Sequence, residues 1–242
     1  LCFPSMPAAE REALAREHFR LVFRGLLERS LAWWAGEARM RRLVRIEGLD
    51  ALRELIARRP VILLVPHFVG LDMAGTRLTM DVDIVSIYAA QKNALFNRLL
   101  LHGRGRFGNQ LLLSRQEGMR AAVRGMRERR PFYYLPDQDF GARDALFVPF
   151  FGVPAATITG LSRLARLTDA AVLTCIARML PGGRGYVLEI GAPWSGFPGE
   201  DVETDTRRMN AEIERHVLAM PAQYNWVHKR FKTRPPGAPS LY

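Results

Sequence analysis

The sequence predicts an α/β fold: a central, mainly parallel mixed sheet flanked by helices. Two observations carry that expectation. Short apolar runs alternate with helical stretches along most of the chain, the pattern of strands joined by crossover helices. Hydrophobic residues make up 48% of the 242, enough to bury a sizeable core. No internal repeat and no linker breaks the pattern, so residues 1–242 read as one domain, with 1–45 as an N-terminal helical appendage.

Residues 8–42 read as helix, because Phe19, Val22, Phe23, Leu26 and Leu27 recur at helical spacing among many arginines. Trp33 and Trp34 follow, then Arg39, Arg41, Arg42 and Arg45. Such an amphipathic helix either packs on a core or rests on a membrane surface, with Trp at the interface and Arg on phosphates. Strands are expected at 61–65 (VILLV), 83–89 (DIVSIYA), 110–113 (QLLL), 132–135 (FYYL), 170–177 (AAVLTCIA) and 186–190 (YVLEI). Helices are expected near 69–79, 94–102, 116–129, 155–168 and 202–219. Between them, LFVPFFGVPAA at 146–156 is apolar and bent by Pro149 and Pro154. It reads either as a core loop or as a loop whose Phe147, Phe150 and Phe151 line a slot for a fatty chain. The tail from 233 is Pro-rich and irregular.

Lys plus Arg is 35 against 24 Asp plus Glu, a net charge of +11. Only Lys92, Lys229 and Lys232 are lysines; the other cations are arginines, which fork onto phosphates and carboxylates. That balance favours anionic partners: nucleic acid, anionic lipid or an acidic protein. No recognised nucleic-acid module is present. No run of 18 apolar residues and no signal peptide is visible. Cys2 and Cys175 are too few for a disulfide framework, which fits a reducing setting.

The candidate chemistry starts at His67. It follows VILLVP, at the carboxyl end of a buried strand, where open α/β sheets bind their ligands. Asp72 follows five residues later, completing an H-x-x-x-x-D pattern. Five helical residues differ by about 140° in azimuth, so the two touch only if His67 stays in the loop and Asp72 starts the helix. A carboxylate on one imidazole nitrogen fixes the tautomer and frees the other nitrogen to take a proton from a hydroxyl. A second strand, FYYL, ends the same way in Pro136 and the polar cluster Asp137, Gln138 and Asp139. GRGRFG at 103–108 matches a dinucleotide fingerprint only in spacing, since a helix precedes it and an apolar run follows. No G-x-S-x-G elbow appears. His67, Asp72, Asp137 and Asp139 lack the close His pair or Cys cluster of a metal site, so no metal is expected. His18, His102 and His216 read as surface or packing residues, and His228 as part of a basic final stretch.

Taken together, HFVGLD, PDQDFG, FVPFFGVPA, SRLARL and the terminal QYNWVHKRFKTRP resemble the late acyltransferases of lipid A biosynthesis, the lauroyl and myristoyl transferases of Gram-negative bacteria. The opening LCFPSMPAAEREALAREHF is similar to the stretch after that family's N-terminal membrane helix, so the resemblance covers nearly the whole chain. It implies a glycerol-3-phosphate-acyltransferase-like fold and an enzyme that moves an acyl chain from acyl carrier protein to a hydroxyl of a lipid A precursor. It also implies an anchor helix upstream, the cytoplasmic face of the bacterial inner membrane, and no cofactor beyond the acyl thioester co-substrate.

By the same resemblance His67 is the general base and Asp72 its orienting acid, standing where many members carry Glu. Asp137, Gln138 and Asp139 match the second acidic block. Arg104, Arg106 and Arg115 match an Arg-containing block, and Tyr88 and Asn93 a stretch with a Tyr and an Asn. These eight are the expected substrate-binding residues. A glycerolipid acyltransferase using acyl-CoA or acyl carrier protein, which shares the H-x-x-x-x-D/E pair, is the alternative.

Overall fold

The computed structural model describes residues 1–242. The chain begins α1 (Ala8–Trp34), α2 (Glu37–Leu43), β1 (Val44–Glu47), α3 (Leu49–Arg58), β2 (Val61–Leu64) and α4 (Leu71–Leu78). It continues β3 (Val85–Tyr88), α5 (Ala94–Gly105), β4 (Leu111–Ser114), α6 (Gly118–Arg127) and β5 (Phe132–Tyr134). It ends β6 (Ala145–Phe150), β7 (Val153–Ile158), α7 (Gly160–Thr168), β8 (Ala171–Met179), β9 (Tyr186–Ile190) and α8 (Val202–Ala219). Seven strands form one sheet in the order β1-β9-β8-β2-β5-β3-β4. Every neighbouring pair is parallel except β8 with β9, so the sheet is mixed but mainly parallel, as the alternation predicts.

The central strand explains itself. Val61, Ile62, Leu63 and Leu64 are all buried, with β8 on one side and β5 on the other. A strand covered on both faces needs a continuous apolar run. Pro60 and Pro66 bracket it. Alternate residues feed two cores: Ile62 and Leu64 pack with Met209, Ile213 and Val217 of α8, while Val61 and Leu63 pack with Ala74 and Leu78 of α4.

One break in the sheet matters for the site. The ladder between β3 and β5 covers only Val85↔Phe132 and Ser86↔Tyr133. Beyond that, β3 stays with β4 as far as Tyr88↔Ser114, and β5 stays with β2 as far as Leu64↔Tyr134. The two strands therefore part at their carboxyl ends.

Two sequence expectations are corrected. The helix expected over 8–42 is two helices, separated where Ala35 and Gly36 turn extended. The loop expected over 146–156, and the first turns of the helix expected from 155, are instead the antiparallel hairpin β6–β7. Its two-residue turn places Phe151 at φ 51° and Gly152 at φ 74°, the paired positive φ of a type I′ turn. Pro149 and Pro154 face each other across the hairpin. Phe150 is fully buried in the core, and Phe151 stacks edge-on against Phe3. Neither they nor Phe147 reach the large cavity. At the N-terminus, α1 packs on α4 and α5, and Trp33 fills the space that Gly103 leaves open. No helix is long and apolar enough to cross a membrane.

Candidate active site

His67 stays in the loop after β2, as the spacing requires, but the carboxylate that hydrogen-bonds its ring is Asp137 and not Asp72. Its ring Nδ1 lies 2.6 Å from Asp137 Oδ1, and its backbone N–H donates to Asp137 Oδ2 at 2.8 Å. One carboxylate thus grips both the ring and the backbone of the same residue. Asp137 reaches it because β2 and β5 are parallel neighbours that end together. A carboxylate only accepts, so Nδ1 carries the hydrogen and Nε2 carries the lone pair. Asp137 is 2% exposed. Burial alone would raise its pKa, but the hydrogen bonds from His67 and the charge its ring takes up outweigh burial and hold it below the usual carboxylate range.

The Nε2 side is polar and shared. The Gln138 amide nitrogen lies 2.9 Å from His67 Nε2 and 2.9 Å from His228 Nε2, so it donates to both. The two rings meet edge to face with centroids 5.0 Å apart. Burial, and then the nearby His67 charge, push the His228 pKa below its ordinary value. His228 is therefore a neutral acceptor that holds the amide in place. Asn225 donates its backbone N–H to the His67 carbonyl at 2.9 Å, tying the last segment of the chain under the histidine.

Asp72 sits in the first turn of α4 and faces two guanidiniums. Arg29 Nε is 2.8 Å from Asp72 Oδ2, a charge contact without hydrogen-bond alignment, and Arg104 donates to Oδ1 at 3.2 Å. Burial works against its ionisation, but Arg104 and then Arg29 hold its pKa below the usual range. The sequence misses this partition for a physical reason. The Asp72–His67 contact would compete with two arginines from helices 32 and 43 residues away, and His67 Nδ1 is already taken.

A cavity of about 590 Å³ opens beside His67. It runs into the gap between β3 and β5, so side chains from both faces of the sheet line it: Ser86, Tyr88 and Tyr133 from one, Ile87, Phe132 and Tyr134 from the other. Val22, Leu26 and Arg29 of α1 close one wall. The lining is mostly apolar, and its polar part includes His67, Asp72, Arg29, Arg104, Gln138 and His228, which is how a pocket for a largely hydrocarbon ligand is made.

Of the expected site residues, His67, Asp72, Tyr88, Arg104, Arg115 and Gln138 line this cavity, and Asp137 stands behind His67. Three do not join them. Arg106 donates to the carbonyls of Ala32 and Ala35, closing the end of α1. Asn93 is the N-cap of α5, accepting from the Phe96 N–H at 2.9 Å. Asp139 accepts from the backbone and hydroxyl of Thr233 and pins the final segment. Arg29 and His228 were not expected here. His228 lay within a quoted motif, but only the return of the chain beneath His67 gives it a place.

A histidine with one nitrogen tied to a buried carboxylate and the other facing an apolar cavity is built to deprotonate a hydroxyl beside a hydrocarbon chain. No serine or cysteine hydrogen-bonds the ring, so the arrangement suits an O-acyltransferase that uses no covalent nucleophile of its own. Residues 1–233 match the family described as bacterial lipid A biosynthesis acyltransferase. The chain is 35% identical, over its full length and 79% of the relative, to the lipid A biosynthesis lauroyltransferase of Escherichia coli K12. It is 34% identical to that organism's palmitoleoyltransferase, over all of this chain and 79% of that one. Identity to the myristoyltransferase of the same organism is 30%, over 98% of this chain and 74% of that one. The chain belongs to the bacterial lipid A biosynthesis acyltransferase family.

Proposed function

We propose that this protein transfers a fatty acyl chain from the thioester of an acyl carrier protein to a free hydroxyl of a lipid A precursor, at the cytoplasmic face of the bacterial inner membrane. The observation that carries the reading is the His67 ring, tied at Nδ1 to Asp137 and held at Nε2 only by the Gln138 amide, beside a mostly apolar cavity of about 590 Å³. The acceptor hydroxyl gives its proton to Nε2 as its oxygen attacks the thioester carbon. The tetrahedral oxyanion collapses, the C–S bond breaks, and the thiolate takes the proton back from the imidazolium. Asp137 stabilises that imidazolium without itself being protonated.

Gln138 must leave Nε2 when the hydroxyl arrives. Its amide stays tethered to His228 and turns its free N–H toward the oxyanion, the donor that such an intermediate needs. Asp72 serves the site through Arg29 and Arg104, holding both guanidiniums at the wall where the phosphates of the acceptor lie. The thioester carries its own activation, so the reaction needs no cofactor or metal. A glycerol-3-phosphate-acyltransferase-like arrangement fits the same features, a histidine after the central strand and an acid in the first turn of the next helix.

The test is transfer in vitro, with a tetra-acylated lipid A precursor, a panel of acyl carrier proteins and mass spectrometry of the product. Addition of one chain to the precursor supports the reading. Transfer only to a lysophosphatidic acid overturns it in favour of a glycerolipid acyltransferase.

A further inference from the structure

Arginines on the two longest helices have partners. On α1, Arg16, Arg20, Arg24 and Arg29 pair with Glu12, Glu17, Glu28 and Asp72, and Arg11 donates to a backbone carbonyl. On α8, Arg207 and Arg215 pair with Glu203 and Glu212, and Arg208 donates to the Ser195 carbonyl. Helix α6 is different. Arg120, Arg124 and Arg127 lie along its exposed side, one turn apart, and none meets an acid or a carbonyl. Like charges at this spacing destabilise a helix, and the two acids one turn from the stripe, Glu117 and Glu128, do not pair with it; Glu117 accepts from Ser114 instead.

The stripe starts at the cavity. Met119, next to Arg120, lines it, and so does Arg115, whose guanidinium lies 5.2 Å over the Phe140 ring. We propose that Arg120, Arg124 and Arg127 form the docking surface for the acidic protein that carries the donor thioester, beside the cavity its acyl chain must enter. The proposal rests on the donor reading given above.

A lipid surface fits this stripe less well. Interfacial binding needs apolar side chains together with cations, and α6 exposes only Met119. Phe140 is also exposed, beneath Arg115, but more of the exposed apolar residues lie on other helices: Phe19, Phe23, Leu26, Leu27 and Trp34 on α1 and Leu95 on α5, with the unpaired Arg98 one turn after Leu95. One side of the cavity mouth is thus richer in exposed apolar side chains, and the α6 side is richer in unpaired arginine. An acidic, water-soluble partner fits the second.

The experiment compares two donors on the full chain, an acyl carrier protein and the small acyl-pantetheine of the same chain length. R120E/R124E/R127E should raise the KM for the carrier donor at least about tenfold, and leave kinetics with acyl-pantetheine within about twofold. R58E/R163E, a reversal at exposed arginines on α3 and α7, should change neither. Should the triple reversal misfold by circular dichroism, R120Q/R124Q/R127Q removes the charge more gently and should still weaken the carrier donor alone. An unchanged carrier KM overturns the proposal. So does equal loss with both donors, or loss of binding to phosphatidylglycerol vesicles with carrier affinity intact. If the wild-type chain takes no acyl group from any carrier, a direct binding titration decides. Carrier binding that the reversal abolishes upholds the surface while the donor reading falls; no binding by the wild type overturns the surface.

Discussion

His67 and His216 both sit against this sheet with a carboxylate beside them, and they differ in which nitrogen that carboxylate meets. His216, on α8, lines a second cavity of about 510 Å³. Its Nε2 lies 2.8 Å from Arg215 and 3.2 Å from Glu212, both on its own helix. Its arginine and its carboxylate thus crowd one and the same nitrogen. His67 is held from behind by a carboxylate 70 residues away, and its outward nitrogen meets only a side-chain amide that can turn. A carboxylate near an imidazole therefore says little about chemistry. What matters is whether it binds the nitrogen that faces away from the substrate.

The largest effect should come from swapping the two. H67A should lower turnover by about 1,000-fold, near the middle of what a general base contributes, while H216A leaves kcat within about twofold. Equal effects in single-turnover assays would erase the distinction. Next come the two aspartates. D137N should cost roughly 100-fold or more in kcat, because an amide there can set the wrong tautomer of His67. D72N should act mainly on KM for the anionic acceptor, by loosening Arg29 and Arg104. A D72N defect confined to kcat and larger than that of D137N would return the orienting role to Asp72.

A smaller change is expected within the cavity. A Cβ on Gly75 would stand 3.3 Å from the Tyr133 hydroxyl, so Gly75→Leu fills the cavity on that face. Competition between donors of different length should shift toward the shorter chain by roughly tenfold, the order of one to two methylenes in an apolar pocket.

The smallest effect concerns pH. Burial lowers the pKa of both His216 and His228. A histidine depressed in the folded state binds its proton first when unfolded. Its contribution to stability is thus complete above about pH 6.5 and is lost as pH falls through the lower folded value. Urea titrations should show stability declining below about pH 6.5, and His216→Phe should flatten that decline without touching catalysis. A decline of unchanged slope in the variant would assign it to other groups.

What could be read from the sequence follows the range of each interaction. VILLVP announced a buried strand ending in a histidine, and YVLEI fell on β9 residue for residue. Alternation of strands and helices gave the mainly parallel sheet. The short strand β1 and helix α3 passed unseen because four residues of VRIE carry too little pattern. The hairpin was missed because its turn is Phe-Gly, without the Asn or Asp that usually marks positive φ. At the site, His67 and Gln138 stood in quoted motifs, and Asp72 was given a partner by nearness in sequence. Its actual partners, and those of His67, are set by which strands and helices become neighbours. Arg106, Asn93 and Asp139 show the converse: polar residues close to a motif that spend their hydrogen bonds on helix ends and on the final segment.

The parting of β3 from β5 has a consequence for how a guest is received. Because the void is written into strand register, it belongs to the fold itself. The entropic toll of shaping the tunnel falls on folding instead of on each catalytic cycle. Ile87 and Leu135, on opposite banks of the parted strands, stand as its apolar gunwales.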